Sequence, residues 1–495
     1  MSGKVILVGA GPGSIGLMTL RGKQVLEAAD VVLYDRLVGE AILSMIPESV
    51  HKIDVGKSSG RHPIAQEKIN ALLLEHAKDG KTVVRLKGGD PYLFGRGAEE
   101  LEAVVKENIP FEVVPGVSSA IAVPAYAGIP VSHRDFSSSV HIITAHRQNG
   151  NAPDLDYQSL VRFGGTLVFL MGIGTIDTVT SELIAAGMPG ETPAALIENG
   201  TRPNQRKLVS SLADISGLGH SNSFAPPSIL LVGSVCSLNE ELDWFSMLPL
   251  HTVKIIVTRP KARSALSNKL CELGADVINF PCIRTQSLTL ADTVFSELGS
   301  YNWIVFTSPA GTEVFFDELK KRKLDIRVLY GVKIAAIGEK TARLFRERGI
   351  NVDYIPDKYN ARELGAGLPY SKGDTVLLFR AKDGTTQLAA TLKERGFLVE
   401  DLPVYETIRD SSSNEQVKSI LESGDVDYVT FTSASSVQGF FDATAGISFD
   451  RSGLKAICIG EETAFEAQKR GYRVIISKQA TIESMVEIII KECGV

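Results

Sequence analysis

The second half of the sequence contains an internal repeat, and no other feature restricts the fold as strongly. Three segments recur in the same order: IIVTRPKA (255–262) as the weaker echo VLLFRAKD (376–383), IVFTSPAG (304–311) as VTFTSASS (429–436), and AAIGEKTARLFRERG (335–349) as ICIGEETAFEAQKRG (457–471). A repeat of this kind predicts two similar lobes. Hydroxyls and amides at the helix starts of these segments can hold anions or simply cap the helices.

Short runs rich in Val and Ile alternate with helical patterns along the whole chain. The run at 50–56 is followed by Pro63 at a helix start, by Gly80 as a helix stop and by a further strand pattern at 82–86. This alternation predicts α/β architecture throughout. The chain has 495 residues, which predicts several compact units, and the mixed segment 247–253 predicts a linker.

Charge, cysteine content and apolar run lengths exclude several classes of function. The formal charge of −6 argues against a general nucleic-acid binder. The five cysteines form no C-x-x-C pair, so neither a disulfide framework nor a zinc site is indicated, and a reduced cytosol is expected. Apolar runs such as 166–171 are too short for a membrane span, and the amino terminus reads as a first strand. We therefore expect a cytoplasmic protein that binds neither membranes nor nucleic acid.

A glycine turn near the amino terminus leaves two cofactor classes open. Residues 11–16 satisfy G-x-G-x-x-G directly after an apolar run, and the next apolar run ends in Asp35, where a dinucleotide fold would place a ribose-binding acid. An NAD-dependent oxidoreductase is one interpretation of this pattern. A glycine turn that serves another cofactor is the other.

Further segments of the first half carry a family resemblance. They are YDRLV (34–38), GKSSGRHPIAQEKIN (56–70), VVRLKGGDPYLFGRGAEE (83–100), VPGVSSAIAVPAYAGIPVSHR (114–134), LVFLMG (167–172) and ENGT (198–201). Together they resemble the tetrapyrrole methylase family, most closely its uroporphyrinogen-III C-methyltransferases, across residues 4–245. The resemblance implies S-adenosylmethionine, rather than NAD, in a site between two α/β subdomains, about 1–114 and 115–246. Methylases of this type are commonly dimers, so a homodimer through this half is an expectation.

The resemblance also implies which residues bind the donor. They are Pro12, Gly88, Gly89, Asp90, Leu93, Ser118, Ser119, Met171 and Gly200. Two glycines after a strand allow the backbone to approach a ligand closely, and a carboxylate can accept its hydrogen bonds. G-G-D-P alone is a weak motif, because many ordinary turns share it.

Asp35 and Lys57 are implied as proton acceptor and proton donor. Methylation of a pyrrole carbon leaves a cationic ring that must lose a proton, which a nearby carboxylate can accept. The ordinary alternatives are a strand-end Asp bonded to backbone amides and a solvated loop Lys. The implied substrate carries eight carboxylates, so we expect fixed cations in its site, among them Arg61, Arg96 and Arg134. Further basic candidates are Lys52, His62, Arg85, Lys87 and His133.

The second half resembles uroporphyrinogen-III synthase, which closes hydroxymethylbilane without a cofactor. The segments that carry this resemblance are TRP (258–260), FTSPAG (306–311), AIGEKTA (336–342), FRAKDGTTQLAATLKERGFLVEDLPVYET (379–407), FTSAS (431–435) and CIGEETA (458–464). The implied fold is two flavodoxin-like lobes joined by a two-stranded connection. Lobe 1 would comprise about 254–285 with 405–495, and lobe 2 about 289–402.

Tyr405 matches the tyrosine proposed in that family to help the hydroxyl leave as water, and its ordinary alternative is a packed aromatic residue. The residues implied in holding substrate carboxylates are Arg259, Thr307, Ser308, Arg380, Ser433 and Thr463.

Together the two resemblances predict one bifunctional enzyme of tetrapyrrole biosynthesis. Residues 1–246 would methylate uroporphyrinogen III twice to precorrin-2, and residues 254–495 would supply that substrate. The alternative is an NAD-dependent oxidoreductase joined to a non-enzymatic tetrapyrrole sensor.

Overall fold

A computed structural model describes most of the chain. The described residues are 3–47, 49–56, 65–145, 154–259, 264–409 and 415–494. They form four five-stranded sheets with helices between the strands, which confirms the α/β class. Among these residues, no helix combines the length and the apolar character that a membrane crossing needs.

The first sheet is wholly parallel and has the order β3-β2-β4-β1-β5. Its strands are β1 (Lys4–Gly9), β2 (Val31–Tyr34), β3 (His51–Asp54), β4 (Thr82–Lys87) and β5 (Phe111–Val114). The helices of this part are α1 (Leu20–Glu27), α2 (Glu40–Leu43), α3 (Gln66–Lys78) and α4 (Gly97–Lys106).

Alternating side chains bury both faces of this sheet. Ile6 and Val8 share a core cluster with residues of α1 and α2, whereas Val5 and Leu7 share another with residues of α3 and α4. Burial on both faces explains why these strands read as continuous apolar runs.

The strand order disfavours the dinucleotide interpretation of the glycine turn. β4 lies between β1 and β2, whereas a dinucleotide-binding sheet places its first two strands side by side. Helix α1 begins only at Leu20. A Cβ on Gly16 would meet nothing closer than the Ser14 hydroxyl oxygen at 3.8 Å, so Gly16 does not serve close helix–strand packing.

Glycines allow three backbone segments to meet at the carboxyl ends of β1 and β4. A Cβ on Gly9 would lie 2.4 Å from the amide nitrogen of Gly116, and a Cβ on Gly116 would lie 2.2 Å from the Gly89 carbonyl oxygen. Gly89 has a φ of +67° and exchanges hydrogen bonds with Gly11, at 2.8 and 3.1 Å. In open parallel sheets, ligands bind beyond the carboxyl ends of the strands where the connections change direction. The crowded glycines lie at that edge.

The second sheet is mixed and has the order β6-β7-β10-β8-β9, with only the β6–β7 pair parallel. Its strands are β6 (Val140–Thr144), β7 (Thr166–Leu170), β8 (Pro193–Glu198), β9 (Arg206–Ser211) and β10 (Ser228–Val232). The helices are α5 (Ser119–Tyr126), α6 (Tyr157–Phe163), α7 (Ile176–Ala185) and α8 (Ile215–Ser221).

The second half contains two further sheets. Its strands are β11 (Lys254–Val257), β12 (Asp276–Asn279), β13 (Ile283–Ser287), β14 (Trp303–Phe306), β15 (Lys333–Ala336), β16 (Thr375–Ala381), β17 (Leu398–Arg409), β18 (Tyr428–Phe431), β19 (Lys455–Cys458) and β20 (Arg473–Ile476). Its helices are α9 (Ala265–Glu272), α10 (Asp292–Ser296), α11 (Pro309–Lys321), α12 (Glu339–Arg346), α13 (Ala361–Gly367), α14 (Gln387–Glu394), α15 (Glu415–Ser423), α16 (Ala434–Ala443), α17 (Glu461–Gln468) and α18 (Ile482–Glu492).

The strand orders of these sheets confirm two flavodoxin-like lobes. The third sheet, β12-β11-β18-β19-β20, has the flavodoxin order 2-1-3-4-5. The fourth sheet reads β15-β14-β16-β17-β13, which gives 2-1-3-4 for its parallel strands, with β13 antiparallel to β17 at the edge.

The sheets combine the two copies of the sequence repeat. β11 and β16 are echoes of each other, yet β11 lies with β18 and β19, and β16 lies with β14 and β15. Each sheet therefore joins the first strand of one copy to the later strands of the other copy.

By packing, the chain divides into two compact units. The first comprises residues 1–255, 263–278 and 481–495, and the second comprises residues 256–262 and 279–480. These units are defined by packing and not by function, so the domain limits predicted from the sequence, 1–246 and 254–495, stay predictions.

We predict that Gly116→Ala lowers the free energy of unfolding by about 1–3 kcal/mol, because its Cβ would overlap the Gly89 carbonyl. Urea unfolding followed by circular dichroism measures the change. Gly16→Ala is the matched control, and its expected effect is within about 0.5 kcal/mol. Equal damage from both substitutions would contradict the account of the turn.

Candidate functional site

Several residues implied in donor binding lie together where the first two sheets end. Among the described residues, a Cβ on Gly89 would meet only the amide nitrogen of Ser119, at 3.9 Å. A Cβ on Gly200 would lie 2.2 Å from the side chain of Val123 in α5, the helix that Ser119 begins. Leu93 packs against the core cluster that contains Val123. The described residues therefore leave the position of a side chain at Gly89 free, and the nearest atom to it lies in the second subdomain.

The other implied donor residues lie on neighbouring loops. Pro12 stands in the turn after β1, and a Cβ on Gly88 would lie 3.0 Å from the Leu37 side chain. The Ser118 hydroxyl caps α5. Met171 follows β7 with a φ of +59° and is 50% exposed. Left-handed backbone at a residue other than glycine is uncommon and is found preferentially at functional sites.

Asp90 serves the backbone of its own loop. Its carboxylate accepts hydrogen bonds from the amides of Tyr92 and Leu93, at 2.8 and 3.1 Å, and from that of Gly116 at 3.0 Å. These bonds hold the loop after β4 against the start of the second subdomain. The predicted contact of Asp90 with the donor stays a prediction.

Asp35 directly follows β2 and belongs to a cluster of four charged side chains. It accepts a hydrogen bond from Arg85 at 2.5 Å, and the Arg85 Nε donates to Glu100 at 3.1 Å. Lys87 Nζ lies 3.0 Å from Glu100 and 3.9 Å from Asp35. Positions 85 and 87 share one face of β4, the face that α4 covers.

Burial differs sharply within this cluster. Glu100 is fully buried and the Arg85 side chain is 2% exposed, whereas that of Asp35 is 28% exposed. Burial, followed by the positive charge of Arg85, lowers the pKa of Lys87. Buried charges are tolerated when they are paired and hydrogen-bonded. Arg85, Lys87 and Glu100 therefore form a buried, rigid support, and the Asp35 carboxylate lies on its solvent-exposed side.

Glu100 is a member of this cluster that sequence reasoning missed. It lies in α4 beside buried Leu101 and at helical spacing from buried Val104 and Gly97. A glutamate among the buried positions of an amphipathic helix, facing two basic residues on a strand, was the signal that could have found it.

The predicted cations of the first half have different surroundings. Lys57 and Arg61 lie outside the described residues, as does His62. Arg96 immediately precedes α4, has a φ of +58° and forms an ion pair with Glu99 at 2.6 Å. Arg134 is exposed. The roles predicted for these residues stay predictions.

In the second half, the structure brings two predicted residues into contact. Tyr405 lies in β17, is 9% exposed, and donates a hydrogen bond from its hydroxyl to the Ser308 hydroxyl oxygen at 2.9 Å. Ser308 also caps α11, because its side chain accepts a hydrogen bond from the Gly311 amide at 3.1 Å. The phenol is thereby held against the start of a helix.

Arg380 and Thr307 already have partners within the fourth sheet. Arg380 binds Asp401 through two nitrogens, at 2.6 and 3.0 Å, and also donates to backbone carbonyls. Thr307 donates to the Phe379 carbonyl at 3.2 Å. A substrate carboxylate would have to displace Asp401 from Arg380, so its predicted role stays a prediction.

The remaining predicted residues of the second half are spread over three elements. Ser433 caps α16, in a capping box with Ser436. Thr463 is 4% exposed inside α17, which favours a packing role. Arg259 follows β11, and burial lowers its pKa. The roles predicted for these three residues stay predictions.

Comparisons with known families divide the chain into two parts. Residues 4–216 match the family described as tetrapyrrole (corrin/porphyrin) methylases. Residues 264–487 match the family described as uroporphyrinogen-III synthase HemD.

Relatives cover the whole chain and its first half. A protein named porphyrin biosynthesis protein HemD from Ruminiclostridium josui is 43% identical, over 99% of this chain and 98% of its own length. An S-adenosyl-L-methionine-dependent uroporphyrinogen III methyltransferase from Methanosarcina barkeri is 50% identical, over 48% of this chain and 94% of its own. The crystal structure of uroporphyrin-III C-methyl transferase from Thermus thermophilus, complexed with S-adenosyl homocysteine, is 37% identical over 48% of this chain and all of its own, with a TM-score of 0.42.

We predict that Lys87 contributes a rise of stability with pH in the alkaline range. Its pKa is lowered in the fold, whereas an unfolded lysine has a pKa of about 10.4. Between these values the unfolded chain binds more protons, so the free energy of unfolding increases with pH. Urea unfolding at a series of pH values measures the slope.

Lys87→Met should remove this part of the slope, whereas Lys106→Met, at an exposed position of α4, should retain it. Parallel pH profiles for the two variants would contradict the assignment.

Proposed function

Because the chain belongs to the tetrapyrrole methylase family over residues 4–216 and to the uroporphyrinogen-III synthase family over residues 264–487, we propose that it catalyses two consecutive steps. The second half closes hydroxymethylbilane to uroporphyrinogen III with inversion of the last pyrrole. The first half then transfers two methyl groups from S-adenosylmethionine to that product, which gives precorrin-2. The observation on which the proposal rests is that one chain matches two families whose reactions are linked by uroporphyrinogen III, the product of one and the substrate of the other.

The edge of the first sheet fits the methyl donor. S-adenosylmethionine, when bound, supplies an electrophilic methyl group on sulfur. The open side of Gly89 and the Ser119 amide opposite it leave room for a ligand, which a Cβ at position 89 would fill. Pro12, Leu93, Met171 and Gly200, which lie in the loops after β1, β4, β7 and β8, would complete the donor site.

Asp35 is suited to accept the proton that the methylated pyrrole carbon must lose. One carboxylate oxygen is hydrogen-bonded to Arg85, and the side chain is exposed enough to meet a substrate. Arg85 and Lys87 lie 2.5 and 3.9 Å from its two carboxylate oxygens, and they fix the orientation in which the carboxylate would meet the substrate. Lys57 would return a proton elsewhere on the ring. Arg61, Arg96 and Arg134 would bind substrate carboxylates.

Tyr405 is suited to assist departure of the hydroxyl group from hydroxymethylbilane. The Tyr405 hydroxyl donates its hydrogen bond to the Ser308 hydroxyl oxygen. A substrate hydroxyl would therefore have to displace only this one acceptor in order to receive the proton. A pyrrole-stabilised cation forms readily, so much of the catalysis would come from folding the chain of pyrroles into the reactive geometry. Arg259 and Ser433, at strand ends, would hold its carboxylates.

The proposal places the enzyme in the cytoplasm and includes a homodimer through the methylase half. The cysteine pattern supports the first statement, and the habit of related methylases supports the second.

Two substitutions should separate the activities. Asp35→Asn should leave isomer III formation intact and lower methyl transfer by about 100-fold or more, because the base is lost. Tyr405→Phe should leave methyl transfer intact and lower isomer III formation by up to about 100-fold. Hydroxymethylbilane is supplied to measure ring closure, and uroporphyrinogen III is supplied separately with S-adenosylmethionine to measure methyl transfer; the ring isomer and the product mass are the readouts.

The unsubstituted protein should give isomer III and, with the donor, a gain of two methyl masses. Isomer I alone would refute the synthase activity, and an unchanged mass would refute the transferase activity. Unaltered binding of S-adenosylhomocysteine to Asp35→Asn serves as the control for folding.

A further inference from the structure

Arg202 reaches from the second subdomain to two loops of the first. It lies in the loop after β8, and its Nη2 donates a hydrogen bond to the Leu37 carbonyl at 2.9 Å. The preceding Thr201 accepts a hydrogen bond from the Ser14 amide at 3.1 Å. The loop therefore closes over the turn after β1 and the segment after β2.

The glycine turn is shaped to accept this arginine. Gly13 has a φ of +153°, and a Cβ there would lie 2.8 Å from the Arg202 Cγ and 2.9 Å from its Nε. The guanidinium stem thus occupies the place that a side chain at position 13 would take. This contact gives the second glycine of G-x-G-x-x-G a purpose unrelated to a dinucleotide.

Arg202 lacks a counter-charge within the part of the chain that the structure describes. There its polar contact is the Leu37 carbonyl, although a guanidinium offers five N–H donors. Arg85, Arg206 and Arg380, by contrast, each bind a carboxylate. Arg202 is half-buried, and burial lowers its pKa. A desolvated cation without a partner is unfavourable unless a ligand supplies the opposite charge.

We propose that Arg202 is a carboxylate-binding residue at the rim of the donor site. Leu37, whose carbonyl it holds, packs against Gly88, so the guanidinium adjoins the loop implied in donor binding. The carboxylate belongs either to the amino-acid end of the donor or to an acetate or propionate arm of the macrocycle. This inference rests on the proposed function, which supplies both ligands.

The test is calorimetric titration of the full chain and of its Arg202→Gln variant, which keeps a donor for Leu37 but removes the charge. The ligands are S-adenosylhomocysteine, its analogue without the amino-acid carboxylate, and uroporphyrin III. We expect Arg202→Gln to weaken binding of one carboxylate ligand by about 10- to 100-fold and to leave the decarboxylated analogue unaffected. A loss confined to S-adenosylhomocysteine assigns the donor's carboxylate, and a loss confined to uroporphyrin assigns the macrocycle's.

Arg162→Gln removes the same charge from an exposed position of α6 and should leave all three affinities unchanged. Arg202→Lys should retain part of the affinity, because it restores the charge without the fork. Unchanged affinities in Arg202→Gln, or an equal loss for all three ligands, would overturn the inference. Failure of the unsubstituted protein to bind either carboxylate ligand would instead refute the proposed function.

Discussion

The ion cluster of Asp35, Arg85, Lys87 and Glu100 is the interaction on which the first half depends most. It joins the end of β2, the end of β4 and the first turn of α4 at the carboxyl-terminal edge of the first sheet, where the apolar core ends. Removal of Glu100 or Arg85, the two most buried members, would leave a buried opposite charge without full compensation, which is strongly unfavourable. The same pairing that permits burial also fixes the orientation of the one carboxylate that reaches solvent.

The backbone beside this cluster is arranged for close approach. A Cβ on Gly9 or on Gly116 would overlap the neighbouring backbone, whereas a Cβ on Gly89 would meet only the Ser119 amide nitrogen among the described residues. The strand order places β1 and β4 side by side, so their glycine turns and the loop after β2 lie at one edge. A donor site and a proton acceptor can therefore share that edge, and Arg202 closes over it from the second subdomain.

Local sequence patterns predicted many of the helices and strands, but they did not predict which strands pair with each other. The segment 50–86 is an example of successful local prediction. As expected, a helix (α3, Gln66–Lys78) ends just before Gly80, which has a φ of +82°, and a strand (β4) begins at Thr82. The repeat predicted two similar lobes. It could not show that each sheet joins strands of both copies, because periodicity does not encode strand partners; the exchange followed only from the family resemblance.

Glu100 and Arg202 were missed because their roles depend on partners remote in sequence. Asp90 and Arg380 were recognised as polar candidates, yet nearby amides and Asp401 occupy them, which the sequence does not reveal.

The position of S-adenosylhomocysteine in crystals of this chain tests the central claim most directly. The account predicts that the ligand lies between the Gly89 backbone and the Ser119 amide, with the Asp35 carboxylate facing the reacting side of the same cleft. Density for the ligand elsewhere, or an empty edge at saturating concentration, would contradict it.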